Sequence, residues 1–268
     1  DLVVTSPPYW RKRDYGIDGQ IGQEATPALY AVAIGECLTE WRRVLRPTGS
    51  VFLNVGDTFH RKSLAGVPFE VEREARRLGW TIRNRIIWAK NRGVPDPARD
   101  RLTPRHEHVL HLTGRNYYYD LDAYIARFGP SAANPGDVWA MDPDRDMGSH
   151  LAPFPEELVE RAILLGCPER SCPACGTPWR RRMVRGRRLD PARPQAARAM
   201  ELAVGLSDDH IEAIQATGIS DVGKATLTQT GTGRNSARVQ ALAAEAKSVL
   251  GGYFREFTFA IREQDGWD

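Results

Sequence analysis

Hydrophobic positions along the chain follow two rhythms, one of strands and one of helices. Leu2-Val3-Val4-Thr5 is a short apolar strand halted by Ser6-Pro7-Pro8, because proline fixes φ and lacks the N–H a ladder needs. Across residues 28–45, Leu29, Val32, Ala33, Leu38, Trp41 and Leu45 fall at helical spacing behind Thr26-Pro27, a helix start. Arg46-Pro47-Thr48-Gly49 then turns the chain into Ser50-Val-Phe-Leu-Asn-Val55, the pattern of a buried strand. A second amphipathic helix is expected over 68–78, stopped by Gly79, with strands over 80–88 and 107–112. Residues 155–165 form another helical pattern, with Leu158, Val159, Ala162 and Ile163 on one face and Gly166 after it. This alternation predicts an α/β fold: a mainly parallel sheet with helices on both faces. Residues 92–105 and 129–149, rich in Pro, Gly, Asp and Arg, read as loops. Further helices are expected over 208–217 and 236–250, around a Thr/Gly-rich stretch.

Composition narrows the class. At 268 residues and 41% hydrophobic, the chain can bury a core without disulfides or metal staples. It contains no apolar run of membrane-spanning length and does not open on a secretory signal, so no membrane is expected. Cys37, Cys167, Cys172 and Cys175 are too few and too clustered for a disulfide scaffold, and a reducing, cytoplasmic setting is expected. Net charge is only +3, but Lys12, Lys62, Lys90, Lys224 and Lys247 are the only lysines among 37 basic residues. The arginines suit phosphate and base-edge contacts; they equally fit the codon usage of a GC-rich genome. A start on Asp1, within a strand-like run, reads as a piece of a longer protein.

The most informative segment is Thr5-Ser6-Pro7-Pro8-Tyr9-Trp10, directly after the first strand. In open α/β sheets, ligands bind in the crevice beyond the carboxyl ends of the strands. A small hydroxyl, two rigid proline carbonyls and an aromatic ring suit a planar amine: Ser6 and the Pro7 carbonyl accept its hydrogens and Tyr9 stacks on its ring.

Ser6-Pro7-Pro8-Tyr9 resembles the catalytic motif of the permuted, beta-group DNA amino-methyltransferases, which use S-adenosyl-L-methionine; the Ser form is typical of cytosine-N4 enzymes. Four further segments resemble that family in its order: Leu45 through Asn54-Val-Gly-Asp57, Gly79-Trp80 through Lys90-Asn91, Arg105-His-Glu-His through Tyr117-Tyr-Tyr-Asp120, and Phe154-Pro155 through Ile163. The resemblance implies a Rossmann-like methyltransferase sheet in circularly permuted motif order, carrying a partly helical C-terminal insertion. It divides the chain into a catalytic core over 1–168, a Cys-pair and Arg-rich segment over 169–198, and a helical insertion over 199–268. The family's glycine-rich cofactor loop should follow the Phe154-Pro155 helix. Gly231-Thr-Gly233-Arg-Asn-Ser236 lacks both the preceding strand and the third glycine, so the chain reads as truncated before that loop.

The implied reaction is direct methyl transfer to the exocyclic N4 of a flipped-out cytosine in double-stranded DNA, with adenine N6 as the alternative. Ser6, Pro7, Pro8 and Tyr9 would be catalytic, and Asp57, His150, Phe154 and Pro155 would serve the cofactor side. Carbon-5 methylation needs a cysteine nucleophile, usually within Pro-Cys, and no cysteine here follows a proline. A restriction enzyme of matching specificity would be the cellular partner. A reading of another class, a DNA-binding remnant without catalysis, stays open because the cofactor loop is missing; so does an RNA or protein amine methyltransferase.

Three other groups invite chemistry. Cys172-Pro-Ala-Cys175 is half a zinc knuckle, two of the four ligands a tetrahedral site needs, and would hold zinc in the intact protein. His106-Glu107-His108 and His111 miss the HExxH spacing and sit in a strand-like run, so they read as structural. Trp10, Arg11 and Arg13, together with Arg180, Arg181 and Arg182 of the arginine run, would contact DNA; for the run, a solvated linker is an equal reading.

Overall fold

A computed structural model describes residues 1–91, 96–129, 134–144, 154–218 and 235–268. His150 and Gly231–Gly233 lie outside them, as do parts of the two loops expected over 92–105 and 129–149. The chain divides into two compact units, residues 1–124 with 135–179, and residues 125–134 with 180–268.

The first unit is built on a five-stranded sheet of order β1-β2-β6-β5-β7: β1 (Leu2–Thr5), β2 (Ser50–Val55), β5 (Thr81–Ala89), β6 (His106–Thr113) and β7 (Val138–Ala140). β1 pairs parallel to β2 and β5 parallel to β7, but β6 runs antiparallel to both β2 and β5. The expectation of a mainly parallel sheet therefore needs correcting to a mixed one. Among the described residues of the connection between β5 and β6 there is no helix; the two strands pair antiparallel and β6 enters between β2 and β5. A small ladder, β3 (Phe59–His60) with β4 (Ser63–Leu64), follows β2.

Strand alternation sends β2 residues to two different layers. Val51, Leu53 and Val55, with Leu110 and Leu112 of β6, pack against α1 (Pro27–Val44) and α2 (Val67–Arg77). The opposite face carries Phe52, stacked on His111 at 4.3 Å between ring centroids, and Trp139, which stacks on Tyr124 of α3 (Leu121–Phe128). α4 (Glu156–Gly166) covers the same face so closely that a Cβ at Gly166 would lie 2.9 Å from both Leu2 and the Ser50 hydroxyl. Helices thus lie on both faces, as expected.

Local chemistry sets the helix ends. Thr26 Oγ1 accepts the Leu29 N–H at 3.2 Å and Pro27 occupies the first turn of α1, where its missing N–H costs nothing. Gly66, at φ +73°, opens α2 without a side-chain cap of its own. Asp57 supplies it from nine residues upstream, accepting the N–H groups of Thr58, Gly66 and Val67 at 2.8, 3.2 and 3.1 Å.

Among its described residues the second unit holds β8 (Arg181–Arg185), antiparallel to β9 (Arg262–Trp267), and the helices α5 (Ala196–Leu202), α6 (Asp208–Thr217), α7 (Ala237–Leu250) and α8 (Phe254–Thr258). Ala199, Ile211, Ile214, Ala246, Leu250 and Phe257 form its core. The arginine run, whose linker reading the structure corrects, is ordered into β8 and the turns that follow. Its side chains face local partners: Arg182 pairs with Asp265, Arg187 with Asp208, and Arg193 with Glu256. No described helix is long and apolar enough to cross a membrane.

Candidate functional site

The pairing directions bring the carboxyl ends of β1, β2 and β5 to one edge of the sheet, together with the start of β6. Ser6 to Tyr9 leave β1 at this edge. Their loop is braced by the Arg11 N–H on the Gly22 carbonyl at 2.7 Å and the Lys12 N–H on the Tyr9 carbonyl at 3.1 Å. Gly22, at φ +107°, lies close against Pro8 and the Tyr9 carbonyl, in a backbone conformation that residues with a Cβ rarely adopt.

A line of hydrogen bonds crosses four neighbouring strands here. Ser6 Oγ donates to Tyr9 Oη at 3.1 Å, and Tyr9 Oη donates to Glu107 Oε2 at 2.5 Å. Asn54 Nδ2 donates to both Tyr9 Oη, at 2.7 Å, and Glu107 Oε2, at 2.8 Å. Lys90 Nζ holds the other carboxylate oxygen, Oε1, at 2.5 Å. Strand register accounts for the convergence: Asn54 pairs with Val109 and Trp88 with Glu107, so Asn54, Glu107 and Lys90 share one face of the sheet. Burial first, then the Glu107 charge and its hydrogen bond, push the Tyr9 phenol well above its ordinary pKa, so it remains a neutral donor.

Gly56, just past β2, makes room for the ring. A Cβ there would stand 2.6 Å from Tyr9 Cε2 and 2.7 Å from Cδ2. Asn54 Oδ1 is buried and has no hydrogen-bond partner among the described residues, the condition of a polar atom that a ligand or water completes.

Of the other sequence candidates, Trp10 needs correction as a DNA contact. It is 2% exposed in the core beneath α1, and its indole N–H donates to the Glu24 carbonyl at 2.8 Å. Arg11 is exposed and stacks over the Trp10 ring at 5.0 Å, and Arg13 is half-buried in the same loop. Asp57 caps α2, so both its oxygens are already engaged. Phe154 is half-buried and Pro155 is the buried N-cap of α4, where the Glu156 N–H bonds Asp144. Arg181 bonds Gln264 and stacks on Trp267, and Arg182 bonds the Asp265 carbonyl as well as its carboxylate.

Cys172 and Cys175 lie in a tight turn closed by the Cys172 N–H on the Thr177 carbonyl and the Gly176 N–H on the Cys172 carbonyl, both at 2.8 Å. Hydrogen bonds from Thr177, with a lesser one from Cys172, lower the Cys175 thiol to about 7. Among the described residues no group of three or more His, Cys, Asp or Glu is placed to hold a metal ion. His111 lies between Phe52 and Tyr119, where burial, and then Arg83, push it down to about 3.

Sequence reasoning missed Asn54, Lys90 and Glu107. Glu107 stood inside a histidine run and was judged with it. The available signal was the pair of consecutive strands ending in Lys90 and beginning near Glu107, which an antiparallel pairing brings face to face.

Comparison with known proteins shows the family of the chain. A family model described as DNA methylase, N6_N4_Mtase, matches residues 1–172. The type II methyltransferase M.SmaI of Serratia marcescens is 32% identical, with 62% of this chain and 68% of that protein aligned. M.Cfr9I of Citrobacter freundii is 31% identical over 60% of this chain and 64% of its own length. Among solved structures, the PvuII DNA methyltransferase (cytosine-N4-specific) covers 63% of this chain and 64% of that one, at 19% identity and a TM-score of 0.47. The chain thus spans about two thirds of the length of these relatives. With the family model covering more than half of the chain, the protein belongs to the N6_N4_Mtase family of DNA methylases.

Proposed function

We propose that this chain is the target-amine half of a type II DNA methyltransferase that methylates the exocyclic N4 of a cytosine swung out of the duplex. One observation carries the reading. The Ser6 hydroxyl gives its own hydrogen to Tyr9 Oη, which leaves its lone pairs as acceptors at the carboxyl edge of the sheet. An exocyclic amine conjugated to its ring is a poor nucleophile. Hydrogen bonds from its N–H groups to Ser6 Oγ and the Pro7 carbonyl draw the nitrogen toward a tetrahedral geometry and aim its lone pair. Tyr9, anchored at its hydroxyl by Asn54 and Glu107, offers its ring to the extruded base and offsets part of an unstacking cost of about a few kcal/mol.

The methyl donor of this family is S-adenosyl-L-methionine, which supplies an electrophilic methyl on a sulfonium. Its fit to the described residues is partial. Half-buried Phe154 provides an aromatic ring, but Asp57 is committed to three backbone N–H groups, and the described residues include no glycine-rich turn for the donor's polar end. Double-stranded DNA is the partner in this reading, with exposed Arg11 as a phosphate contact and a restriction enzyme as cellular counterpart. The cytoplasm is the compartment.

Purified chain is to be incubated with isotopically labelled S-adenosylmethionine and two sets of duplexes, one with every cytosine N4-methylated beforehand and one with every adenine N6-methylated. Label entering only the second set supports cytosine; label entering only the first reassigns the target to adenine. Label in neither sinks the reading and leaves a DNA-binding remnant.

A further inference from the structure

We propose that Glu107 receives the proton that the amine loses on methylation, through a two-hydroxyl path formed by Ser6 and Tyr9. The inference rests on the amine-methylation reading and assigns to that site a residue with no contact to the base. As the nitrogen lone pair forms the new N–C bond, the C–S bond of the donor breaks with its electron pair remaining on sulfur. The nitrogen is left cationic until one hydrogen departs. That hydrogen passes to Ser6 Oγ, the hydroxyl proton of Ser6 to Tyr9 Oη, and that of Tyr9 to Glu107 Oε2. The step ends with both hydroxyls restored, a neutral methylated amine and a protonated Glu107, which releases its proton to water after the product leaves. Nothing is oxidised or reduced.

Three features of the structure support the path. The hydrogen bonds already point the way the protons must move: Ser6 donates to Tyr9 at 3.1 Å and Tyr9 to Glu107 at 2.5 Å, within reach for proton transfer. The competing directions are closed. Asn54 Nδ2 fills the second acceptor position of Tyr9 Oη, and Lys90 holds Glu107 Oε1, leaving Oε2 turned toward the hydroxyls. A weak base suffices, because a ring-conjugated nitrogen that has just been alkylated is a strong acid while it carries the charge.

Glu107→Gln separates proton acceptance from positioning: an amide oxygen still accepts the Tyr9 hydrogen bond but cannot carry its proton away. Tyr9→Phe keeps the ring and removes the path. Both variants, and the double variant, are to be compared with the wild-type chain on duplexes carrying 2-aminopurine at the target, whose fluorescence reports base extrusion, and in single-turnover methylation. The expected result is undiminished extrusion in Glu107→Gln with a single-turnover rate about 100-fold lower, the scale of general acid–base assistance. Tyr9→Phe should fall similarly, and the double variant no further, because the residues act as one path. A wild-type rate in Glu107→Gln overturns the proposal, and so does a loss that follows lost extrusion. If the wild-type chain methylates neither base, the functional reading fails and the path fails with it; if the wild type methylates and Glu107→Gln keeps pace, the path alone fails.

Discussion

Replacing Gly56 by alanine tests how the Tyr9 ring is seated. The added methyl would stand 2.6 Å from Tyr9 Cε2, about 1 Å inside ordinary carbon–carbon contact. Gly56 follows a strand buried at every position, so its backbone has little freedom to retreat and the ring must move instead. Moving the ring by that amount stretches Tyr9 Oη away from Glu107 and Asn54, now at 2.5 and 2.7 Å, toward the limit of a hydrogen bond. Overpacking costs about 1–3 kcal/mol, and weakening a hydrogen bond to a charged group adds about 1.5–3 kcal/mol. The melting temperature should fall accordingly. Methylation should fall further than stability does, by about 100-fold, the penalty of misplacing a reacting group by an ångström. Unfolding scans and single-turnover methylation on the same preparation read both. A Gly56→Ala protein with wild-type methylation would refute the seating of Tyr9 described here.

Other consequences follow from single residues. Asp57→Ala removes the acceptor for three backbone N–H groups and should lower stability by about 1–3 kcal/mol, with the affinity of the folded protein for S-adenosylmethionine unchanged in calorimetric titration. His111 titrates at about 3 when folded against about 6.5 when unfolded, so the unfolded chain takes up its proton first as pH falls. The stabilisation from its neutral form is complete above the unfolded value and lost toward the folded one, about 2 kcal/mol between pH 7 and pH 5. His111→Leu should flatten that part of the stability profile measured by urea unfolding. In the second unit, Arg193→Ala leaves Glu256, only 6% exposed, without its guanidinium. The cost should be about 2 kcal/mol, discounted because the arginine is a third exposed, and visible as faster hydrogen exchange in α5 and α8.

Much of the first unit was legible in the sequence because its signals are local. Periodicity located α1, α2, α4, β2 and β5 within a residue or two, and the Pro7-Pro8 stop placed the Ser6–Tyr9 turn at a strand end. Pairing direction was not legible. It depends on which strands lie side by side, and β6 enters the sheet between β5, its neighbour in the chain, and the more distant β2. The network around Tyr9 stayed hidden for the same reason: Asn54, Lys90 and Glu107 are far apart along the chain and meet only through strand register. Trp10 was misjudged because an aromatic beside a functional motif has the same sequence signature whether it faces DNA or the core. The sequence leaves the arginine run open between DNA contact and solvated linker because the acidic partners of Arg182 and Arg188, Asp265 and Glu263, arrive from β9, some eighty residues later.

Nucleoside mass spectrometry tests the central claim most directly, on DNA from cells expressing the chain beside cells expressing the Ser6→Ala, Tyr9→Ala double variant. The account predicts N4-methylcytosine in the first sample and none in the second. N4-methylcytosine at equal levels in both, or in neither, would contradict it.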